Sequence, residues 1–119
     1  TFEFRAHPGL FFGGQITGTE GYMASTASGL VAGINAARLV RGLRPVALPP
    51  DTMIGALGHY ISNPAVASFQ PMKPNFGLLP PLSALPGKRD RHRLLSERAL
   101  ASLKAFIAAE DLVPAEVGA

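Results

Sequence analysis

Polar and apolar residues alternate over residues 1–5, a period of two that predicts a half-buried strand. His7-Pro8-Gly9 interrupts the run, and Leu10-Phe11-Phe12 follows as a short apolar, aromatic stretch expected to be a buried strand ending in Gly13-Gly14. From residue 22 to about 41 the chain is built of helix formers and small apolar residues. It stops at Gly42, with Arg38, Arg41 and Arg44 at or beyond the last turn, where cations suit the helix dipole. The pattern is strand, glycine-rich turn, helix. Gly29 and Gly33 share a helix face with Ser25, Ala36 and Ala37, which predicts the close approach of another backbone, most simply that of a sheet.

The pattern then changes. A proline-bearing connector over residues 43–50 leads to Asp51 or Thr52, either of which can cap a helix running from 53 to about 61 and stopped before Asn63-Pro64. Residues 69–81 hold too many prolines for a regular element and too much Phe, Met and Leu for a solvated linker, so they are expected to wrap along another surface. Over residues 88–109 a final amphipathic helix sets Ala99, Leu100, Leu103, Phe106 and Ile107 on a packing face, with Arg91, Arg98 and Lys104 mainly elsewhere. Residues 113–119 are expected to fray. The expected fold class is α/β: residues 1–44 as one unit, then a mostly helical, proline-rich unit over residues 45–119.

Composition sharpens this picture. With 13 glycines and 11 prolines in 119 residues, a compact and self-sufficient core is not assured, although 47% of the chain is hydrophobic. No signal-peptide pattern opens the sequence, and the weakly polar stretch over residues 23–40 is interrupted by Ser25, Thr26, Ser28, Asn35 and Arg38, which favours a soluble protein. The absence of cysteine excludes disulfides, thiolate metal sites and cysteine-based catalysis within the chain, and is compatible with the cytosol. His7, His59 and His92 are too far apart in sequence to suggest a metal site. Thr17, Ser25 and His7 have no elbow motif and make a poor hydrolase triad.

Two segments carry candidate chemistry. In the first, Gly13-Gly14-Gln15-Ile16-Thr17-Gly18-Thr19-Glu20-Gly21-Tyr22 joins an expected strand to a helix, the arrangement in which backbone N–H groups meet an electron-rich ligand. It is neither GxGxxG nor a P-loop, and its spacing alone fits a tight structural turn as well as a ligand site. Glu20 could orient a ligand or simply complement the helix dipole. In the second, Lys88, Arg89, Arg91 and Arg93 crowd a helix start; they could contact nucleic-acid phosphates or form a solvated helix face, and they oppose the dipole there. His59 and Tyr60 could stack on a base or a folate, but a structural role is simpler.

The stretch from Leu10 to Tyr22, followed by Ala27-Ser28-Gly29-Leu30-Val31-Ala32-Gly33-Ile34-Asn35-Ala36-Ala37, resembles the folate- and FAD-dependent tRNA (uracil-5-)-methyltransferases, the TrmFO or Gid proteins. Phe69-Gln70-Pro71-Met72 and Asn75-Phe76-Gly77-Leu78-Leu79-Pro80-Pro81 are similar to the same family and separate it from the larger GidA flavoproteins. The resemblance implies the C-terminal part of an FAD-binding Rossmann-type domain, with Gly14, Gln15, Ile16, Gly18, Glu20, Gly21 and Tyr22 toward the cofactor. Gly14 and Gln15 would lie by the ribityl and pyrophosphate region, and the backbone from Glu20 to Tyr22 by the isoalloxazine O2. Gly13 stands where the family often has alanine, a departure expected to cost little.

The resemblance further implies methylenetetrahydrofolate as one-carbon donor, NAD(P)H as reductant and a T-loop uridine of tRNA as acceptor. The nucleotide-binding GxGxxG and the nucleophilic cysteine of that family would lie in a preceding region of the same protein, leaving this chain inactive alone. The alternatives are a GidA-like enzyme acting on wobble uridine and a non-catalytic tRNA- or protein-binding module.

Overall fold

The computed structural model describes residues 1–83 and 87–112; residues 113–119, expected to fray, lie outside the described part. Three helices dominate: α1 (Tyr22–Val40), α2 (Met53–Ser62) and α3 (Lys88–Glu110), with short 3-10 turns at Gln15–Thr17 and Phe76–Leu78.

Both expected strands fail to form as strands, which corrects the α/β reading for the described residues. Residues 2–4 and 10–12 do pair with each other, through a single antiparallel bridge between Glu3 and Phe11. The Phe4 and Phe12 N–H groups donate to Leu10 O and Phe2 O at 2.8 and 3.0 Å, and the two phenylalanine rings meet edge-to-face at 5.6 Å. The turn between them is closed by Gly9, whose N–H donates to Glu3 Oε2 at 3.0 Å and whose φ of 87° suits glycine. The ladder stops there because Phe2 turns out of extended geometry, with φ at 62°. A lone two-stranded ribbon is marginal without further strands beside it.

α1 ends as its glycine predicts. Gly42, at φ 76°, donates to Leu39 O and the next N–H, of Leu43, reaches back to Arg38 O at 2.9 Å, so the last carbonyls are satisfied in a Schellman motif. The inner face of α1 buries Ala24, Ser28, Val31, Ala32 and Asn35. Asn35 is fully buried; its Nδ2 donates to Thr1 O and Val46 O, both at 2.9 Å, and its Oδ1 accepts from Val46 N–H at 2.7 Å. One amide therefore ties the chain start and the connector to α1.

Of the two possible caps for α2, Thr52 is used: its Oγ1 accepts from Gly55 N–H at 3.1 Å and donates to Pro49 O at 2.6 Å. Gly55 is needed in that first turn because a Cβ there would strike Pro49 O. The main apolar cluster joins three parts of the chain: Ala56 of α2, Leu79 of the proline-rich segment and Leu95 of α3, flanked by Met53, Phe76, Leu78 and Leu82.

The proline-rich segment is fastened by backbone and by side chains. Met72 exchanges hydrogen bonds with Gly18 O and Glu20 N–H at 2.8 and 2.9 Å, Tyr60 Oη donates to Gln70 O at 2.8 Å, and Phe76 stacks on His92 at 4.3 Å. Arg98, assigned from sequence to the wet face of α3, instead donates to Pro81 O and Pro80 O at 3.3 and 2.5 Å. The expected packing face of α3 is met in part: Ala99, Leu103, Phe106 and Ile107 are half-buried, but Leu100 is 69% exposed and the buried residue of the helix is Leu95, outside that set.

Candidate functional site

The glycine-rich turn is ordered at Gly14 by hydroxyl groups, and at its far end by Gly18 packing on the Phe69 ring and pairing with Met72. Gly14 N–H donates to Ser28 Oγ at 2.7 Å, and Ser28 Oγ donates in turn to Ser25 O at 2.8 Å. Gly14 O accepts from Thr17 N–H at 3.0 Å, from Thr17 Oγ1 at 2.7 Å and from Thr19 Oγ1 at 3.2 Å. Each hydroxyl has one proton, so with Thr17 committed to Gly14 O, the Thr19 proton is shared between that carbonyl and Thr17 Oγ1 at 3.1 Å. Ser28 and Thr19 are fully buried.

This arrangement holds two glycines in backbone conformations that essentially only glycine adopts. Gly14 lies at φ 87°, ψ −161° and Gly21 at φ 93°, ψ 154°, and a Cβ on either would meet open space. Between and beyond them the surface is uncovered. Gln15 and Gly21 are exposed, Gly14 and Glu20 half-buried, Ile16 is 76% and Tyr22 95% exposed, while Gly18 is buried against the Phe69 ring.

Gly21 caps α1 without any side-chain acceptor, and the first N–H of that region with a backbone acceptor is that of Ser25, which donates to Gly21 O at 2.9 Å. The N–H groups of Tyr22, Met23 and Ala24 are thus left pointing out of a 19-residue helix, whose dipole puts about half a positive charge there. Such an end can receive a carbonyl or anionic edge.

The expected cofactor-facing residues are consequently brought together in one turn, but two of them have N–H and carbonyl both used internally: half-buried Gly14, and buried Gly18, whose N–H donates to Gln15 O at 3.0 Å and whose carbonyl accepts from Met72 N–H at 2.8 Å. Gly13 is less tolerant than expected. A Cβ on it would lie 2.7 Å from Gly29 Cα, so an alanine requires the loop and α1 to separate. That approach uses Gly29, whereas Gly33 faces open space.

The basic candidates sit on the first turns of α3. Lys88, Arg89 and Arg91 are exposed, and Arg93 pairs with Glu97 at 3.1 Å and Asp90 at 3.7 Å. The His92–Phe76 stack lies within this basic run. On α2, His59 is exposed, whereas Tyr60 has its hydroxyl on Gln70 and its ring on Phe69 at 5.7 Å. Among the described residues there is no group of three or more His, Asp or Glu that could hold a metal ion, and no helix is long and apolar enough to cross a membrane.

Sequence reasoning missed the roles of Ser28 and Asn35. Their signal is visible in retrospect, as two polar residues seven apart on the inner face of a helix otherwise lined by Ala24, Val31 and Ala32.

Comparison with known proteins follows the same segments. Residues 1–44 match the family described as Glucose inhibited division protein A. Over 107 residues, covering 89% of this chain and 24% of the relative, the chain is 53% identical to the methylenetetrahydrofolate--tRNA-(uracil-5-)-methyltransferase TrmFO of Lactiplantibacillus plantarum. It is 51% identical to the protein of that name from Heliobacterium modesticaldum over 98% of this chain and 27% of the relative. With the Synechococcus sp. RCC307 protein it shares 50% over 100% of this chain and 26% of the relative. The chain therefore spans about a quarter of the length of the curated relatives it matches. Identity of about half over 98% and 100% of its length shows that this chain belongs to the TrmFO family, as a segment about a quarter as long as those relatives.

Proposed function

We propose that this chain is the part of a folate- and FAD-dependent tRNA (uracil-5-)-methyltransferase that completes one side of the FAD site, with residues 1–44 facing the cofactor and residues 45–119 bracing them. The observation that carries the reading is the N-terminus of α1: three unclaimed N–H groups behind a glycine whose conformation few other residues adopt, in a turn held open by buried hydroxyls. These residues suit a flavin. The N–H groups of Tyr22 and Met23 would face the carbonyl edge of the ring, where the dipole favours added negative charge. Gln15 would lie along the ribityl chain, and Ile16 would shield one flank from water. FAD, when bound, supplies the redox chemistry of the one-carbon transfer. Methylenetetrahydrofolate would be the carbon donor, NAD(P)H the reductant and a T-loop uridine of tRNA the acceptor, in the cytoplasm.

A second observation supports a larger protein around this segment. The outer face of α1 carries Met23, Thr26, Leu30, Gly33, Ala37 and Val40 at spacings of three and four, with no charge among them; Met23, Leu30 and Val40 are 83%, 65% and 89% exposed. A helix apolar on both faces belongs inside a protein. The accessible surface of 8124 Å² also exceeds the about 6,200 Å² typical of a compact chain of 12.5 kDa.

The family described as Glucose inhibited division protein A favours a GidA-like enzyme over residues 1–44, but the TrmFO relatives match through the remainder as well. Purification of the full-length protein tests the proposal. It should be yellow, with a flavin band near 450 nm, and should methylate a T-loop uridine only when folate donor and reductant are both supplied. A colourless protein that gains no band on FAD addition, yet still binds tRNA, would point instead to a non-catalytic interaction module.

A further inference from the structure

The turn at Gln15–Thr17 is ordered yet contributes little to the core: Gln15 is exposed and Ile16, an apolar residue, is 76% exposed. Three hydroxyls nevertheless converge on the single residue Gly14, two of them fully buried. Ser28 is the key member, because it reaches the turn from a different element. Its Oγ spends its lone proton on Ser25 O, one turn back along α1, which leaves its lone pairs aimed at Gly14 N–H, 2.7 Å away. Gly14 is thereby held at φ 87°, ψ −161°, and its orientation sets where Gln15 and Ile16 stand.

We propose that Ser28 is a positioning residue of the cofactor cradle: it never touches the flavin but fixes the Gly14 peptide, and through it the surface formed by Gln15 and Ile16. The inference rests on the flavin reading above. Thr17 and Thr19 hold the carbonyl side of the same residue, so the clamp grips Gly14 at both ends. Functional surfaces need this kind of support because an unpacked loop has no core to define its position.

The test uses the full-length protein in four forms: unaltered, Ser28→Ala, Thr17→Val and Thr52→Ala. Each is stripped of flavin, its melting temperature is recorded, and FAD is titrated back by fluorescence quenching. Thr52→Ala is the control, since it removes a buried hydroxyl cap from α2 and should lower the melting temperature without changing FAD affinity. Ser28→Ala should weaken FAD binding about tenfold or more, the lower end of what loss of a supporting shell costs a site, and should shift the shape of the flavin band. Thr17→Val should weaken binding less, because Thr19 and the backbone still hold the carbonyl. If Ser28→Ala does not fold, Thr17→Val, at a half-buried position, decides alone: unchanged affinity there overturns the clamp. Equal affinity in the unaltered and Ser28→Ala proteins, or losses in Ser28→Ala and Thr52→Ala that simply track melting temperature, would also overturn it. Failure of all four forms to bind FAD overturns the functional proposal itself and is recognisable as such.

Discussion

Asn35 shows how much one side chain can organise. Its amide meets three backbone groups, of Thr1 and Val46, in a place with no access to water. Asn35→Ala should therefore destabilise the protein by about 1–3 kcal/mol, since the Val46 N–H is left buried and unpaired. Asn35→Asp should be worse, because a carboxylate cannot donate to Thr1 O or Val46 O and brings a charge into the interior. Urea unfolding of the three proteins checks the order, and an Asp variant as stable as the original would refute it. Gly21 offers a contrasting case. A methyl group there meets nothing, so the cost of Gly21→Ala is conformational, about 1–3 kcal/mol, and falls on the turn that presents the α1 N-terminus. Weaker retention of flavin than in Gly33→Ala, a helical glycine that also faces open space, is the expected outcome.

Among the elements, α3 and the proline-rich segment depend on each other. Leu95 meets Leu79 and Ala56 in the small shared cluster, and Arg98 holds the Pro80 and Pro81 carbonyls from above. Leu95→Ala should cost about 2–3 kcal/mol, toward the low end for a buried leucine because so few neighbours surround it. Arg98→Ala should cost about 1 kcal/mol, its bonds being near the surface. Unfolding midpoints that rank Arg98→Ala as the more damaging would mean that the strap, not the cluster, joins the two. The outer face of α1 makes a different prediction. Met23 is 83% exposed in this segment, but in the full-length protein it should oxidise slowly under dilute peroxide, as slowly as the partly buried Met53. Peptide mapping by mass spectrometry reads this directly, and rapid oxidation of Met23 would show that nothing covers the face.

At the scale of the whole molecule, the radius of gyration is 15.2 Å, where a compact domain of 119 residues has about 13.5 Å. The segment is spread out, with helices that brace one another at a few points such as the 3.5 Å Arg38–Glu110 ion pair. Spreading leaves the start of α3 in solvent and its basic residues accessible. If these meet tRNA, replacing Lys88, Arg89 and Arg91 with Ala in the full-length protein should flatten the dependence of log affinity on log salt, by about one unit of slope per lost phosphate contact. Arg93→Ala should matter less, because Asp90 and Glu97 already neutralise that guanidinium. An unchanged slope in the triple variant would remove tRNA from this face.

The sequence by itself determined the three helices to within a residue or two, because helical periodicity, the Thr52 cap and the Gly42 stop are local features that need no distant partner. It also determined the family, through the motif running from Leu10 into α1, and the place of the exposed glycine turn. The strands were not decided locally: residues 2–4 and 10–12 have strand-like side chains, but a ladder needs neighbours and here each run has only the other. Tertiary structure alone decided which polar groups support the turn. Nothing in the spacing of Ser28, Thr17 and Thr19 distinguishes them from ordinary helix and loop hydroxyls until the fold brings all three to Gly14. It likewise added Leu95 to the buried side of α3 and left Leu100 in solvent, since amphipathicity shows which residues could pack and only the neighbouring α2 and proline-rich segment determine which do.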